Sequence, residues 1–178
     1  MKKILFLMLI ILQAKFLSAQ YKPVDQGSEV NFTVTNFGFD VSGSFTGLQG
    51  SIRIDQQNPA NDSFDISIDA NTVNTDNHMR DTHLRDEGYF DVKNHPRIRL
   101  VSSQVRATTR NGVYQFTGQL TMKGKTKKFS FPFTMMSVGD GLLFTGTLAI
   151  NRKDFEVGGT STIGNEVRIN LKVLTTKL

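Results

Sequence analysis

The chain has 178 residues, a formal net charge of +5 and no cysteine. The absence of cysteine excludes disulfides, thiolate zinc sites, thiol catalysis and a lipid-modified N-terminal cysteine. Three of the lysines precede residue 20, in a segment with the features of a removable leader, so the 159 residues that follow carry a charge of only +2. A charge this small predicts no nucleic-acid partner.

The first 19 residues have the pattern of a secretory signal peptide. Two lysines precede nine consecutive apolar residues, 4–12, and the small side chains of Ser18 and Ala19 suit cleavage. Nine residues are about half of the ~20 that a helix needs to cross a bilayer. We therefore expect cleavage after Ala19, one domain over residues 20–178, and a periplasmic or secreted protein without a lipid anchor.

Eight stretches of the chain alternate apolar and polar residues, the period of a β-strand with one buried face. Their apolar positions are rich in phenylalanine. Turn-forming residues separate the stretches, and both Asn111-Gly112 and Asp140-Gly141 have the sequence of tight hairpin turns. Neighbouring strands are therefore expected to pair antiparallel. The predicted strands cover residues 29–35, 45–54, 63–70, 97–105, 112–122, 127–134, 142–150 and 166–174.

Residues 71–94, between the third and fourth predicted strands, break this alternation. Polar and charged residues crowd there, and the apolar residues Met79, Leu84, Tyr89 and Phe90 follow no period of two. We expect one or two short helical turns. An excursion of this kind can cover an open end of the sheet.

The predicted fold class is all-β, because the chain has too little helix to cover eight strands that each have one apolar face. Closure into an antiparallel barrel or collapse into a sandwich satisfies that requirement. An eight-stranded barrel has an interior that side chains just fill or that holds one slender ligand. Seven inward phenylalanines fit either a filled core or a tunnel wall: Phe32, Phe64, Phe116, Phe129, Phe131, Phe133 and Phe144.

The densest polar cluster invites comparison with a metal-dependent hydrolase that would use His78, Asp81 and His83. The two histidines are five residues apart rather than four, and no His-Glu-x-x-His motif surrounds them. A structural role, in which Asp81 and Arg85 tie the irregular segment to the barrel, is the simpler interpretation. No serine lies in a Gly-x-Ser-x-Gly setting. We expect neither an enzyme nor a bound metal or cofactor.

A lysine-rich segment, residues 123–128, resembles the end of a phosphate-binding loop at Gly124-Lys125-Thr126. The glycine that such a loop needs five positions earlier is replaced by Gln119, and no helix follows. We interpret the segment as a solvated hairpin turn whose charges oppose aggregation. A weaker alternative is a basic patch that draws the protein to anionic lipid head groups, giving at most transient contact with a membrane surface.

Several local motifs, taken in order and spacing, resemble the YceI-like family of exported bacterial proteins. The resemblance extends from Tyr21 to the C-terminus. The motifs that carry it occupy residues 36–38, 41–47, 67–69, 72–75, 80–85, 89–92 with Pro96, 118–124, 150–155 and 158–159. The family has no agreed catalytic motif, so no catalytic residue follows from the resemblance.

The resemblance implies a lipocalin-like barrel whose long apolar interior holds a polyisoprenoid or a similar long-chain lipid. In that case the apolar strand faces form the wall of a ligand tunnel. The expected lining residues are Phe32, Val34, Phe64, Ile66, Ile68, Phe116, Leu120, Phe129, Phe131, Phe133, Phe144, Leu148, Val167, Ile169 and Leu171. The candidate contacts for a polar head group are Arg80, His83, Arg85 and Arg152.

Two other functions stay open on the sequence. One is the metal-dependent hydrolase described above, and the other is a closed-core module that binds another envelope protein through its outer loops. The association of two copies through an edge strand, as a homodimer, also stays open.

Overall fold

Nine strands, one α-helix and three 3-10 turns account for most of residues 18–160 and 162–178, which the computed structural model describes. The predicted leader lies outside these residues except for Ser18 and Ala19, which begin the first strand. The strands are β1 (Ser18–Asn36), β2 (Phe39–Phe45), β3 (Gln49–Asp55), β4 (Ser63–Asp69), β5 (Arg97–Ala107), β6 (Val113–Met122), β7 (Lys125–Val138), β8 (Gly141–Asn151) and β9 (Ile163–Lys177). The helix α1 is His78–Arg85, and the 3-10 turns are Pro59–Asn61, Ala70–Thr72 and Arg152–Phe155.

The strands form a closed antiparallel barrel. From β3 to β9 each strand pairs with the next in the chain, and β1 pairs with β9 to complete the ring. The other edge of β1 is shared, because β3 pairs with its first residues and β2 with its last. The barrel therefore has eight strand positions, as predicted, and one of them is occupied by two short strands.

The predicted strand 45–54 was wrong in one respect, because the chain turns between Phe45 and Gln49. Gly47 has a φ of +73°, a conformation that favours glycine. The carboxylate of Asp25 accepts hydrogen bonds from the backbone N–H groups of Gly47 and Leu48, at 3.1 and 2.9 Å. This carboxylate stabilises the turn that separates β2 from β3.

The helical excursion between the third and fourth predicted strands is confirmed by α1, which lies between β4 and β5. The side chain of Asn77 caps the helix by accepting a hydrogen bond from the N–H of Arg80 at 3.0 Å. Within the described part of the chain, no helix combines the length and apolar character that a membrane crossing requires.

The barrel interior has two parts, which we name by their side chains. The aromatic half contains the rings of Phe64, Phe116, Phe131, Phe133 and Phe144. The ring of Phe64 lies at the centre of this group, with its centroid 5.3, 5.5 and 6.1 Å from three of the others. The aliphatic half lies towards the C-terminal ends of β6 and β8. Its wall consists mainly of isoleucine, leucine and valine side chains.

Candidate functional site

The aliphatic half contains a cavity with apolar walls. The cavity and its open mouth together hold about 1170 Å³ of space that protein atoms do not occupy. The wall is built from the inward faces of the strands and from the β2–β3 turn. Its apolar residues are Val30, Phe32, Val34, Phe45, Leu48, Ile66, Ile68, Ile98, Leu100, Leu120, Met122, Leu148, Ile150, Val167, Ile169, Leu171 and Val173.

Two segments outside the strands complete the wall at the end of the barrel. Leu84 from α1 and Tyr89 and Phe90 from the following loop line the cavity on one side. Val157 and Gly158, after the last 3-10 turn, line it on the other. The N–H of Gly158 donates to the carbonyl oxygen of Gly88 at 2.9 Å. The two segments thus form one cap.

Side-chain size explains why the space lies in this half. The wall of the larger cavity is mostly aliphatic and encloses open space, whereas rings of the aromatic half meet across the barrel. A smaller space of about 420 Å³ remains among those rings. Ile66, Leu100, Leu171 and Val173 border both spaces. The two spaces therefore adjoin at these four residues, and the rings of the aromatic half line only the smaller one.

Arg152 is the one charged side chain in the wall of the larger cavity among the described residues. Its side chain is buried, with 4% of the residue's surface exposed. The guanidinium donates hydrogen bonds to the carbonyl oxygens of Gly164, Val157, Gly159 and Ile163, at distances of 2.7 to 3.3 Å. Burial lowers the pKa of Arg152, and the nearby Tyr89 acts in the opposite direction.

These four bonds satisfy only part of the guanidinium. An arginine side chain has five N–H donors, and no described carboxylate forms an ion pair with Arg152. Among the described residues, four of the five donors therefore have an acceptor, and the positive charge has no carboxylate partner.

The other three candidate head-group contacts lie outside the cavity wall. Arg80 donates to the hydroxyl and carbonyl oxygens of Thr75, at 2.7 and 2.8 Å. Arg85 donates to the carbonyl oxygens of Asn71 and Val73, at 2.8 and 3.0 Å. These bonds join the α1 segment to the chain that precedes it. The Nδ1 atom of His83 lies 3.5 Å from a carboxylate oxygen of Asp86, at the surface.

The candidate metal ligands are not brought together. The carboxylate of Asp81 is buried and accepts hydrogen bonds from the N–H and hydroxyl groups of Thr75, at 2.9 and 2.5 Å. His83 faces Asp86 instead. Among residues 18–160 and 162–178, no three histidine, aspartate or glutamate side chains are placed to share a metal ion.

Most of the predicted tunnel residues border one of the two spaces. Those at the larger cavity are Phe32, Val34, Ile66, Ile68, Leu120, Leu148, Val167, Ile169 and Leu171. Those at the smaller space are Phe64, Phe116, Phe131, Phe133 and Phe144, with Ile66 and Leu171 shared. The prediction for Phe129 does not fit, because its ring stacks on Phe155 at a centroid distance of 6.1 Å and lines neither space.

Sequence reasoning expected that residues 71–94 can cover an open end of the sheet, but it named no residue of the cap as part of the cavity wall. Leu84, Tyr89, Phe90 and Val157 follow no strand period, so no pattern assigns them to the interior. The available signal was the presence of large apolar residues in a polar segment.

Comparisons with known proteins agree with this geometry. The model of the YceI-like domain matches residues 21–174. The chain belongs to this family. A UPF0312 protein of Pectobacterium carotovorum is 30% identical over 152 residues, which cover 79% of this chain and 77% of that protein.

Solved structures of other bacterial proteins share the barrel. The crystal structure of Burkholderia cenocepacia BcnA matches with a TM-score of 0.80 at 26% identity, covering 86% of this chain and 99% of that one. A polyisoprenoid-binding domain from Saccharophagus degradans matches with a TM-score of 0.72 at 14% identity, covering 89% and 98%.

Proposed function

We propose that this YceI-like protein is a binding protein, not an enzyme, and that it encloses a long-chain amphiphile in the aliphatic half of its barrel. The observation that carries the proposal is a cavity with an almost wholly apolar wall, which together with its open mouth holds about 1170 Å³ of space. Such a wall excludes polar ligands, because their groups would lose hydrogen bonds to water without replacement. It favours a chain of methylene or isoprene units.

The energetics of burial support such a ligand. Each buried methylene group contributes about 0.8 kcal/mol, so ten of them contribute about 8 kcal/mol before the ordering costs of association. An apolar wall can therefore hold a lipid without specific polar contacts. The cavity length would select the chain, and the groups near the mouth would select the head group.

A polyisoprenoid or a fatty-acyl lipid fits this description. The match to a domain that binds polyisoprenoids supports the first of these classes. Carriage, storage and sensing of the lipid are all compatible with an enclosed chain. The predicted leader supports an exported, periplasmic or secreted location.

Arg152 is our main candidate for contact with the polar end of the ligand. It lines the cavity, and one N–H donor remains after its four bonds to carbonyl oxygens. A carbonyl, carboxylate or phosphate oxygen would satisfy that donor and offset the buried charge. Arg80, His83 and Arg85 lie beyond the wall, where they would reach only a head group that protrudes from the mouth.

Native mass spectrometry tests the proposal after incubation with palmitate or geranylgeraniol. We expect the protein to gain the mass of one lipid, and Ile169→Trp, which fills the cavity, to take up at least about tenfold less. Arg168→Trp is the matched control, because the neighbouring side chain on β9 is exposed. No uptake by the unmodified protein, or equal uptake by Ile169→Trp, would refute the proposal.

A further inference from the structure

The turn between β1 and β2 presents two phenylalanine rings to solvent. Phe37 is 74% exposed and Phe39 is 77% exposed. Between them lies Gly38, and apart from its two chain neighbours no described residue lies within 4 Å of the position where its Cβ would be. The tip of this hairpin, residues 36–39, therefore projects away from the barrel.

Local energetics do not favour this sequence at the tip. Phe37 and Gly38 both have positive φ values, +50° and +82°, and turns of this kind prefer asparagine followed by glycine. A phenylalanine in the left-handed region is sterically disfavoured. Its exposed ring also gains nothing from burial in the folded monomer. The tip thus carries apolar surface that neither the turn nor the core requires.

The tip lies at the rim of the larger cavity. Val34, three residues before Phe37, lines that cavity. Asn36 pairs with Ile163, which also lines it. The side chain of Asn36 accepts a hydrogen bond from the hydroxyl of Thr162 at 3.0 Å, which fixes the hairpin against the start of β9.

A cluster of lysines lies at the same end of the barrel, at the turn between β6 and β7. Lys125 forms an ion pair of 2.9 Å with Glu156. Lys123 donates to the carbonyl oxygen of Glu156 at 2.9 Å, and the charge of Lys127 also acts on the Glu156 carboxylate. These three lysines and one glutamate together carry a net charge of +2.

We propose that Phe37 and Phe39 insert into the surface of an anionic bilayer, with the lysines at the β6–β7 turn lying against its head groups. The strand order places the lysine turn across the barrel mouth from the tip. Apolar rings and basic side chains at one end of a molecule are the combination that interfacial membrane contacts use. Insertion would place the cavity rim at the lipid phase. The proposal concerns docking alone, so it stands on the geometry of the tip and does not require that a ligand occupy the cavity.

Tryptophan fluorescence can test the site of contact directly, because the chain contains no tryptophan. We would compare Phe37→Trp and Phe39→Trp with Met136→Trp, a control at the opposite end of the barrel whose side chain is 59% exposed. The probe is vesicles of phosphatidylethanolamine and phosphatidylglycerol in a 3:1 ratio. We expect a blue shift of tryptophan emission for the two tip variants and none for the control. The control differs from them only in the position of the tryptophan.

Vesicle co-sedimentation supplies the second measurement. Phe37→Ser and Phe39→Ser should each weaken partitioning by about tenfold, while Met136→Ser leaves it unchanged. Equal blue shifts at both ends of the barrel would overturn the proposal. So would a concentration-dependent shift without vesicles, which would assign the tip to contact between two copies. Lipid uptake is measured separately by native mass spectrometry, so docking and ligand binding can each fail alone.

Discussion

The two halves of the barrel interior share the inward alternation of their strands, yet one leaves only a small space among its side chains and the other a much larger one. In the aromatic half, rings from opposite walls meet edge to face, as Phe64 does with Phe133 and Phe144. In the aliphatic half, residues such as Leu148 and Ile169 face a shared space. Strand alternation determines which side chains point inward, and their size then determines where a ligand fits.

The largest expected difference between the halves is the cost of removing a ring. Phe64→Ala should lower the free energy of unfolding by about 4 kcal/mol, because it leaves a void among packed rings. Phe32→Ala should cost about half as much, since Phe32 is only partly buried and already borders the open cavity. Urea unfolding of both variants checks this. Equal losses would mean that the two halves are packed alike.

The cap of the aliphatic half depends on Arg152. Arg152→Leu removes the donors from four carbonyl oxygens and should lower the free energy of unfolding by about 3 kcal/mol. Arg106→Leu is the matched control, because Arg106 is an exposed arginine on β5, away from the cap, whose loss should cost under about 0.5 kcal/mol. Urea unfolding measures both. A loss of less than about 1 kcal/mol for Arg152→Leu would contradict its role in holding the cap.

A smaller change in the free energy of unfolding is expected from Asp62, at the end of the barrel beyond the aromatic half. Burial raises the pKa of Asp62 from 3.8 to about 6. The folded protein therefore binds an extra proton between these pH values, and the free energy of unfolding should fall as the pH rises through that window. We expect a decrease of about 2 kcal/mol between pH 4 and pH 6.5. Hydrogen bonds led by that from Asn61 lower the pKa of Asp55, so Asp55 titrates below this range.

Asp62→Asn should remove most of this decrease while keeping the acceptor for the backbone N–H of Asp55. Urea unfolding of both proteins at several pH values provides the measurement. Lipid uptake should not change with the substitution, because Asp62 lies outside both internal spaces. A variant that keeps the full pH dependence would show that another group is responsible.

The sequence predicted the barrel because alternation is a local property that survives folding. It also predicted inward positions such as Ile66 and Leu148, which do line the cavity. It left open whether the phenylalanines fill the core or line a tunnel. Which rings lie at the same level depends on strand register, which alternation alone does not determine.

The elements that sequence reasoning missed show no regular alternation of apolar and polar residues. The first strand was predicted from residue 29, but β1 begins at Ser18 and continues through an irregularity between Val24 and Glu29. Pro23 and Gly27 in this stretch resemble a turn in the sequence. The hydrogen-bonded pairing of β1 with β9 resumes after this irregularity. Pairing with a strand that is distant in sequence therefore overrides the local preference for a turn. The cap residues Tyr89 and Val157 were missed because only tertiary contacts bring them to the cavity.

The central claim is that the aliphatic half encloses a lipid chain and that the aromatic half stops it. A crystal structure of the protein after incubation with geranylgeraniol tests this most directly. We predict continuous electron density along Ile66, Leu148 and Ile169, ending before the ring of Phe64. An empty cavity under these conditions, or lipid bound only on the outer surface of the barrel, would contradict the account.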